Sequence, residues 1–280
     1  MFEAILTPVV IVGIIGLLAG VGLAVAAIVM AVPVDRKAQA IKEALPGANC
    51  GACGYSGCEG YAKALSEGTA PAGLCSPGGA QVAREIASIL GTAPAAVEYK
   101  TALVRCNGTN RNTGTKMEYD GLKSCAAASM FFGGTGKCSY GCVGYGDCVA
   151  ACEYGAIRIC DGVAVVNPAL CRGCNKCVTV CPKHIIELVS AQAASVVRCR
   201  NQDKGGETRK QCSVGCIGCM RCVKACEFDA VHVKNFLASV DYDKCTGCGK
   251  CNEVCPVGCI SMLKVQEIQE NTAANEAAVS

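Results

Sequence analysis

One stretch of cysteines constrains this chain more than any other feature. Residues 171–182 read Cys-Arg-Gly-Cys-Asn-Lys-Cys-Val-Thr-Val-Cys-Pro, a C-x₂-C-x₂-C-x₃-C-P motif. Three thiolates at this spacing bind three corners of a four-iron, four-sulfur cubane, and the fourth cysteine ligates the other cluster of a pair. Structural zinc sites use two separated C-x₂-C pairs, often with histidine. The motif therefore predicts iron–sulfur clusters, with zinc as the alternative.

The chain contains this motif twice, because residues 245–256 repeat it 74 positions further on. Four upstream cysteines repeat at the same offset: Cys138, Cys142, Cys148 and Cys152 correspond to Cys212, Cys216, Cys222 and Cys226. The pattern indicates a duplicated unit, each copy a two-cluster ferredoxin with a hairpin between its cysteine motifs. The first hairpin is predicted to turn at Asp161-Gly162. The second, from Val231 to Asp241, lacks that signal and is predicted to be looser.

A separate cysteine group precedes the duplicated units. Cys50, Cys53, Cys58 and Cys75 form a C-x₂-C-x₄-C-x₁₆-C motif. Glycines between them let the backbone fold closely around a cluster and direct N–H groups at its sulfurs. The motif predicts a further iron–sulfur site, with a four-cysteine zinc site as the alternative. Helices are predicted on either side, over residues 37–45 and 79–90.

Composition narrows the function classes. The 280 residues include 26 cysteines, and their placement in cluster motifs favours metal ligation in a reducing compartment over disulfides. A net charge of +3 gives no support for nucleic-acid binding. The sequence contains no G-x-G-x-x-G fingerprint, which argues against a dinucleotide site and hydride transfer in this chain. We expect an electron carrier whose terminal chemistry belongs to its partners.

The N-terminal stretch is strongly apolar. Residues 4–34 carry no charge, and the 24 residues 9–32 would extend about 36 Å as a helix, against a hydrocarbon core of about 30 Å. We expect a transmembrane helix. Arg36, Lys37 and Lys42 follow it, so the positive-inside rule predicts a single-pass protein of the inner membrane with its cysteine-rich part in the cytoplasm.

Crossed ligation within each ferredoxin unit leads to a prediction of five cubane clusters. The predicted ligand sets are Cys50, Cys53, Cys58 and Cys75; Cys138, Cys142, Cys148 and Cys181; Cys171, Cys174, Cys177 and Cys152; Cys216, Cys219, Cys222 and Cys255; and Cys245, Cys248, Cys251 and Cys226. Six cysteines remain outside these sets: Cys106, Cys125, Cys160, Cys199, Cys212 and Cys259. They are either buried free thiols or, for Cys106, Cys125, Cys199 and Cys212, a sixth site.

The set containing Cys138 is the irregular one. The 74-residue offset places Tyr145 where the second unit has Cys219, the middle ligand of its motif. We expect Cys138 to supply the missing thiolate. Its counterpart Cys212, however, lies beside a complete motif that does not need it. The open alternatives are a three-iron cluster, or Asp147 as an oxygen ligand to a labile iron.

The order of these features resembles the B subunits of Rnf complexes, the ion-translocating ferredoxin:NAD⁺ oxidoreductases. The resemblance covers residues 1 to about 262 and rests on the apolar N-terminus, the C-x₂-C-x₄-C-x₁₆-C motif and the C-x₂-C-x₂-C-x₃-C-P blocks. It implies electron entry from soluble reduced ferredoxin and delivery to membrane subunits that carry flavin, NAD and the ion path. A ferredoxin of another oxidoreductase or a hydrogenase, and a zinc-scaffold interaction protein, are the alternatives.

The predicted fold class is α+β: one transmembrane helix, a small four-cysteine domain and two tandem ferredoxin-like modules. The predicted boundaries are 1–34 for the anchor, 35–95 for the four-cysteine domain, 96–190 and 191–262 for the two modules, and 263–280 for a polar tail. A basic stretch within the second module, residues 196–236, contains eight Lys and Arg against four Asp and Glu. It is the predicted landing surface for an acidic ferredoxin.

Overall fold

The computed structural model describes residues 2–29, 35–97 and 99–263. The helices are α1 (Phe2–Val29), α2 (Arg36–Ala44), α3 (Cys58–Ser66), α4 (Gly79–Leu90), α5 (Cys125–Ser129), α6 (Asp147–Ala150), α7 (Lys176–Val180), α8 (Gly205–Gln211), α9 (Arg221–Ala225) and α10 (Lys250–Glu253). The strands are β1 (Lys100–Val104), β2 (Ile157–Cys160), β3 (Val163–Val166), β4 (Ile186–Ser190), β5 (Ser195–Val197), β6 (Val231–Lys234), β7 (Leu237–Val240) and β8 (Ile260–Met262). The predicted tail lies outside the described residues except for Leu263.

The prediction of a transmembrane helix is wrong for the part of the chain that the structure describes. The apolar stretch does form a helix, α1. Among the described residues, however, no helix combines the length and the hydropathy that crossing a bilayer requires.

Helices α2, α3 and α4 form the four-cysteine domain around a small apolar core. Ile41 of α2, Tyr61 and Leu65 of α3 and Ile86 of α4 are buried together. The Tyr61 hydroxyl donates a hydrogen bond to the Pro71 carbonyl (3.0 Å) and accepts one from the Leu74 N–H (3.2 Å). These two bonds fix the segment that leads into Cys75, so the packing of the helices also positions a predicted ligand.

Each ferredoxin-like module contains two antiparallel strand pairs. In the first module β1 pairs with β4 and β2 with β3, and in the second β5 pairs with β8 and β6 with β7. Each module encloses its own apolar core, in which small aliphatic side chains pack against the cysteines. With no Trp in the chain, little apolar surface is available to these cores, and cysteine ligation is therefore an expected part of their stability.

The two hairpins turn more alike than the sequence predicted. Asp161 and Gly162 adopt positive φ angles of 47° and 80°, as a tight two-residue turn requires. Asn235 and Phe236 connect β6 to β7 with positive φ angles of 50° and 61°. The second hairpin is therefore tight rather than loose: Asn235 readily adopts a positive φ, whereas Phe236 does not favour it and is held there by the pairing of β6 with β7.

The two modules share an interface. Leu103, Val189 and Val196 are buried there in one cluster, and Tyr242 and Leu263 pack against it. Arg105 of the first module contacts the Glu187 carboxylate (Nη1 to Oε2, 3.3 Å) and reaches the Ala238 carbonyl of the second module (3.5 Å). The duplicated units are consequently packed against each other, which brings cysteines of both copies together.

Candidate iron–sulfur sites

The structure gathers 24 of the 26 cysteines into six groups of four, named here sites A to F. Site A comprises Cys50, Cys53, Cys58 and Cys75; site B, Cys152, Cys171, Cys174 and Cys177; site C, Cys125, Cys142, Cys148 and Cys181; site D, Cys106, Cys138, Cys199 and Cys212; site E, Cys216, Cys219, Cys222 and Cys255; and site F, Cys226, Cys245, Cys248 and Cys251. All 26 cysteines are free thiols. Four groups have the predicted membership, whereas C and D differ from it.

Site A is held by a short loop and the first turn of α3. The Cys58 N–H donates to the Asn49 side-chain oxygen (2.9 Å), which ties the loop before Cys50 to the start of the helix. The Cys75 sulfur closes the cavity from the other side. Burial raises the pKa of the Cys75 thiol to about 11. A thiol of this kind is protonated at neutral pH unless a metal displaces the proton.

Sites B and F are equivalent in the two copies and both are crossed. Cys152 of the first cysteine motif joins three thiols of the second motif in site B, and Cys226 does the same in site F. Backbone N–H groups point at sulfur in both sites: Ala102 N donates to Cys171 Sγ (3.4 Å) and Ala230 N to Cys226 Sγ (3.3 Å). Such bonds stabilise the thiolate and raise a cluster's potential.

Site E contains a fifth thiol that no sequence motif explained. Cys259 is buried, and its sulfur lies 3.7 Å from that of Cys255. It also hydrogen-bonds the Cys216 sulfur, which lowers the pKa of Cys216 and raises that of Cys259. The corresponding position in the first module is Ile185, since the N–H of Arg105 donates to the Ile185 carbonyl and that of Arg198 to the Cys259 carbonyl, both at 2.7 Å.

Site C retains the backbone of a cluster loop without its middle thiol. In sites B, E and F the middle cysteine is flanked by residues with positive φ, for example Gly173 and Asn175 at 64° and 65°. Gly144 and Gly146 flank Tyr145 with φ of 85° and 87°. Tyr145 thus occupies the middle position of a correctly folded loop, and the fourth thiol of this site has to come from elsewhere in the chain.

The thiol that the structure places near Cys142 and Cys148 is Cys125, at the start of α5, where the sequence predicted Cys138. The charges of Cys125 and Cys181 both raise the pKa of Cys142, and both also raise the pKa of Cys148. All four thiols therefore lie close together. Asp147 positions Cys125, because its carboxylate accepts hydrogen bonds from the N–H groups of Cys125 (2.8 Å) and Ala126 (3.0 Å). The Asp147 carboxylate therefore caps the start of α5. The sequence had offered it instead as an oxygen ligand to iron.

Cys125 was missed because no motif spacing connects it to its site. It lies in the irregular segment between β1 and the first cysteine motif. The one available signal was the missing thiol at Tyr145, whose ring now anchors this segment: the Tyr119 ring lies 6.2 Å from it and the Lys123 ammonium 5.7 Å. Cys138 lines another cavity together with Cys106, Cys199 and Cys212, and Cys142 of site C borders this cavity.

Comparisons with known proteins agree with these groups. Residues 45–77 match the model of a putative Fe–S cluster family, residues 163–186 a 4Fe–4S binding domain, and residues 213–262 a 4Fe–4S dicluster domain. The chain is 45% identical over 262 residues, 93% of its length and 79% of the relative's, to the B subunit of the Na⁺-translocating ferredoxin:NAD⁺ oxidoreductase complex of Acetobacterium woodii.

Two further relatives match over most of their length. The B subunit of the ion-translocating oxidoreductase complex of Methanosarcina acetivorans is 38% identical, over 89% of this chain and 94% of its own. The B subunit of the proton-translocating ferredoxin:NAD⁺ oxidoreductase complex of Clostridium ljungdahlii is 36% identical, over 95% of each. The chain belongs to the family of Rnf B subunits. The Rnf resemblance is thereby confirmed, as are an electron-transfer role and iron–sulfur domains of the ferredoxin type.

The matched segments cover only part of the cysteine groups of this Rnf-type protein. Site A lies within residues 45–77, and sites E and F lie within residues 213–262. The thiols of site D, and Cys125 of site C, lie outside all three matches. These positions therefore depend on the tertiary structure for any assignment.

The donor sets fit clusters better than single ions. Within the described residues, no three side chains of His, Cys, Asp or Glu converge closely enough to bind one metal ion. A zinc ion would draw its thiolates together, with each Zn–S bond about 2.3 Å long. In a cubane each thiolate binds a different iron, so the ligands stand further apart. The four-thiol cavities, with N–H groups directed at sulfur, match the cubane.

Proposed function

We propose that this chain relays electrons from a reduced ferredoxin to the flavin- and NAD-bearing subunits of an Rnf-type complex. The observation that carries the proposal is the crossed arrangement in each module. Cys255 of the second cysteine motif lies in site E, while Cys226 of the first lies in site F, so one short segment of chain connects two sites. Clusters in such sites accept and donate single electrons, and crossed ligation keeps the pair close.

The proposal includes the ligand sets. Sites A, B, E and F hold the clusters predicted for them, and site C holds the fifth with Cys125 in place of Cys138. Proximity supports the assignment of site C, because the thiols of Cys125, Cys142 and Cys181 lie close enough to that of Cys148 for their charges to interact. The chain's own residues hold the clusters, exclude water from them and direct N–H groups at their sulfurs.

A rescue experiment tests the assignment of site C. Cys125→Ser should remove one four-iron cluster or convert it to a three-iron form, seen in the EPR spectrum and as a loss of one to four irons per chain. Cys125→Ser/Tyr145→Cys should restore the iron and the signal, because the loop already has the conformation that places a thiol at position 145. Retention of the whole cluster set in Cys125→Ser would refute the assignment.

The ferredoxin is proposed to land on the basic surface of the second module. Lys204, Arg209, Lys210, Arg221 and Lys224 are exposed there. Arg221 lines the cavity of site E, whose Cys219 is itself exposed, and the other four residues lie on or next to α8 and α9. Positive charge next to an exposed ligand suits an acidic electron donor, which long-range attraction would steer.

Salt dependence tests the landing site. Reduction by ferredoxin should slow with added salt, and should slow at low salt in Lys204→Glu/Lys210→Glu. Reduction by dithionite should be unaffected. Lys37→Glu/Arg84→Glu, which makes the same charge change in the four-cysteine domain, is the control. Equal ferredoxin rates for both double variants and wild type would exclude this surface.

The location is also a proposal. We place the chain on the cytoplasmic side of a membrane complex, in contact with its other subunits. Twenty-six free cysteines support a reducing compartment, where thiols stay available for clusters. Copurification of the tagged chain with flavin-bearing membrane subunits would support this location, and recovery of the chain without any partner from gently solubilised cells would count against it.

A further inference from the structure

Site D is a four-thiol cavity that matches none of the predicted ligand sets. Cys106 follows β1, Cys199 follows β5, Cys138 lies in the loop before the first cysteine motif and Cys212 directly follows α8. Their cavity has an empty volume of about 470 Å³, including the part open to solvent, against 290–320 Å³ for the cavities of sites A, B, E and F. Space for a cubane is therefore available.

The four thiols are two pairs of equivalent residues from the duplicated modules. Cys138 and Cys212 correspond at the 74-residue offset, and Cys106 and Cys199 end the repeated Val-Arg-Cys segments. Equivalent hydrogen bonds accompany them: Cys142 N donates to Cys106 Sγ (3.4 Å) and Cys216 N to Cys199 Sγ (3.3 Å). Each equivalent pair has one member in each module, so each module contributes half of this site.

Three arginines line the cavity, and two of them have a buried Nε atom without a partner in the part of the chain that the structure describes. Arg105, Arg198 and Arg200 line it. The Nε atoms of Arg105 and Arg198, again an equivalent pair, are buried without a hydrogen-bond partner among the described residues. Four thiolates carry more negative charge than an iron–sulfur core carries positive, so a loaded site is anionic. Buried guanidinium groups at its wall would offset that charge.

From these observations we propose that Cys106, Cys138, Cys199 and Cys212 bind a sixth cluster, a four-iron cubane that connects the two modules. The thiols of site D accept backbone hydrogen bonds of the kind that cluster ligands receive, and Asn201 Nδ2 adds one to Cys138 Sγ (3.5 Å). The same assignment explains why Cys212 lies beside a complete motif: it serves site D, together with Cys138.

The position of site D also gives the order in which electrons pass the sites. This order rests on the proposed relay function. Through the two N–H to sulfur bonds, site D adjoins Cys142 of site C and Cys216 of site E. Sites A and B also adjoin, because Ser76, next to Cys75, donates a hydrogen bond to the Arg172 carbonyl, next to Cys171 (3.3 Å). The order is therefore A, B, C, D, E, F. One electron moves at each step, and no bond forms or breaks.

Iron content and EPR of the full chain, purified without oxygen, test the site. Wild type should contain about 24 irons and Cys138→Ser or Cys212→Ser about 20, with the same signal missing from both. Cys138→Ser/Cys212→Ser should lose no more than either single variant, because both residues serve one cluster. The double variant separates this proposal from a role of Cys138 in site C.

Two results would overturn the proposal. One is about 20 irons in wild type together with unchanged iron in both single variants. The other is loss of different signals in Cys138→Ser and Cys212→Ser. If a cysteine variant loses more than four irons through misfolding, the milder variant Arg198→Met tests the proposal instead. It should shift the redox midpoint of the EPR signal that Cys138→Ser removes. An unshifted midpoint would count against the proposal.

A kinetic arm separates the sixth site from the relay. In Cys138→Ser, ferredoxin should reduce sites E and F at the wild-type rate. It should reduce sites A, B and C at least tenfold more slowly than in wild type. Wild-type rates at all five remaining sites would show that site D is not on the path. If ferredoxin reduced no cluster of the wild type, the proposed function would fail while the iron data still supported the sixth site.

Discussion

Asp147 is predicted to control how firmly Cys125 stays on its cluster. Its carboxylate accepts hydrogen bonds from Ser124 Oγ (2.9 Å) and from the N–H groups of Cys125 (2.8 Å) and Ala126 (3.0 Å). No sequence spacing holds Cys125 in place, so these three bonds and the packing of its segment have to do so. Removing the carboxylate should therefore loosen one ligand of site C and no other.

The magnitude follows from the bonds that are lost. A buried hydrogen bond to a charged group contributes about 1.5–3 kcal/mol, and loss of an N-cap costs about 1 kcal/mol. Ser124 is half-buried and Ala126 is exposed, so water replaces part of the loss in Asp147→Ala. We expect a net cost of about 2 kcal/mol, which is about a thirtyfold increase in the fraction of open site. Asp147→Asn keeps one acceptor oxygen and should cost about half as much.

The assay is the rate of iron release from site C to a ferrous chelator, followed by EPR. Asp147→Ala should release this iron about thirtyfold faster than wild type and Asp147→Asn about fivefold faster, with the other sites unchanged. An unchanged rate in Asp147→Ala would refute the argument. Were Asp147 an iron ligand instead, both variants would lack the iron at equilibrium, and Asn would not rescue it.

The same contact has a defined pH dependence. Burial alone would raise the pKa of the Asp147 carboxyl, but the hydrogen bonds from Cys125, Ala126 and Ser124 outweigh it and lower the pKa below the ordinary value. A carboxyl whose pKa is lowered by folding stabilises the folded state at pH values above its unfolded pKa of about 3.9. This stabilisation is lost as the pH falls through the lower pKa of the folded state. Iron release from site C should thus be independent of pH from 6 to 8 as far as Asp147 is concerned.

Three further predictions concern other parts of the chain. Cys259→Ile introduces the residue type that the first module has at the equivalent position, Ile185, and removes a hydrogen bond to sulfur from site E. It should lower the midpoint potential of that cluster and leave the iron content unchanged. Loss of iron would instead make Cys259 a ligand. Glu187→Gln weakens the largely buried pair with Arg105, whose guanidinium also reaches the second module, and should cost about 1 kcal/mol in thermal unfolding; no shift would contradict this. Cys160→Ser should leave the iron count unchanged, because Cys160 lies in none of the six sites.

The sequence alone determined the features that depend on local spacing. A thiolate run of C-x₂-C-x₂-C needs no distant partner to define three corners of a site, so sites A, B, E and F followed from the motifs and the crossed pairing rule. The duplication followed from the constant 74-residue offset. Helix α4 was predicted with its observed bounds, because its apolar residues recur with helical period and Gly91 ends it.

Tertiary structure decided what distant segments contribute. Cys125 joins Cys142, and Cys138 joins Cys212, only because the chain packs these segments together. The positive φ of Phe236 in the second hairpin comes from strand pairing rather than from local preference. The sequence marked the irregularity, a tyrosine where a thiol was expected. Which cysteine compensates depends on the packing of two copies about a shared site, and no spacing along the chain encodes it.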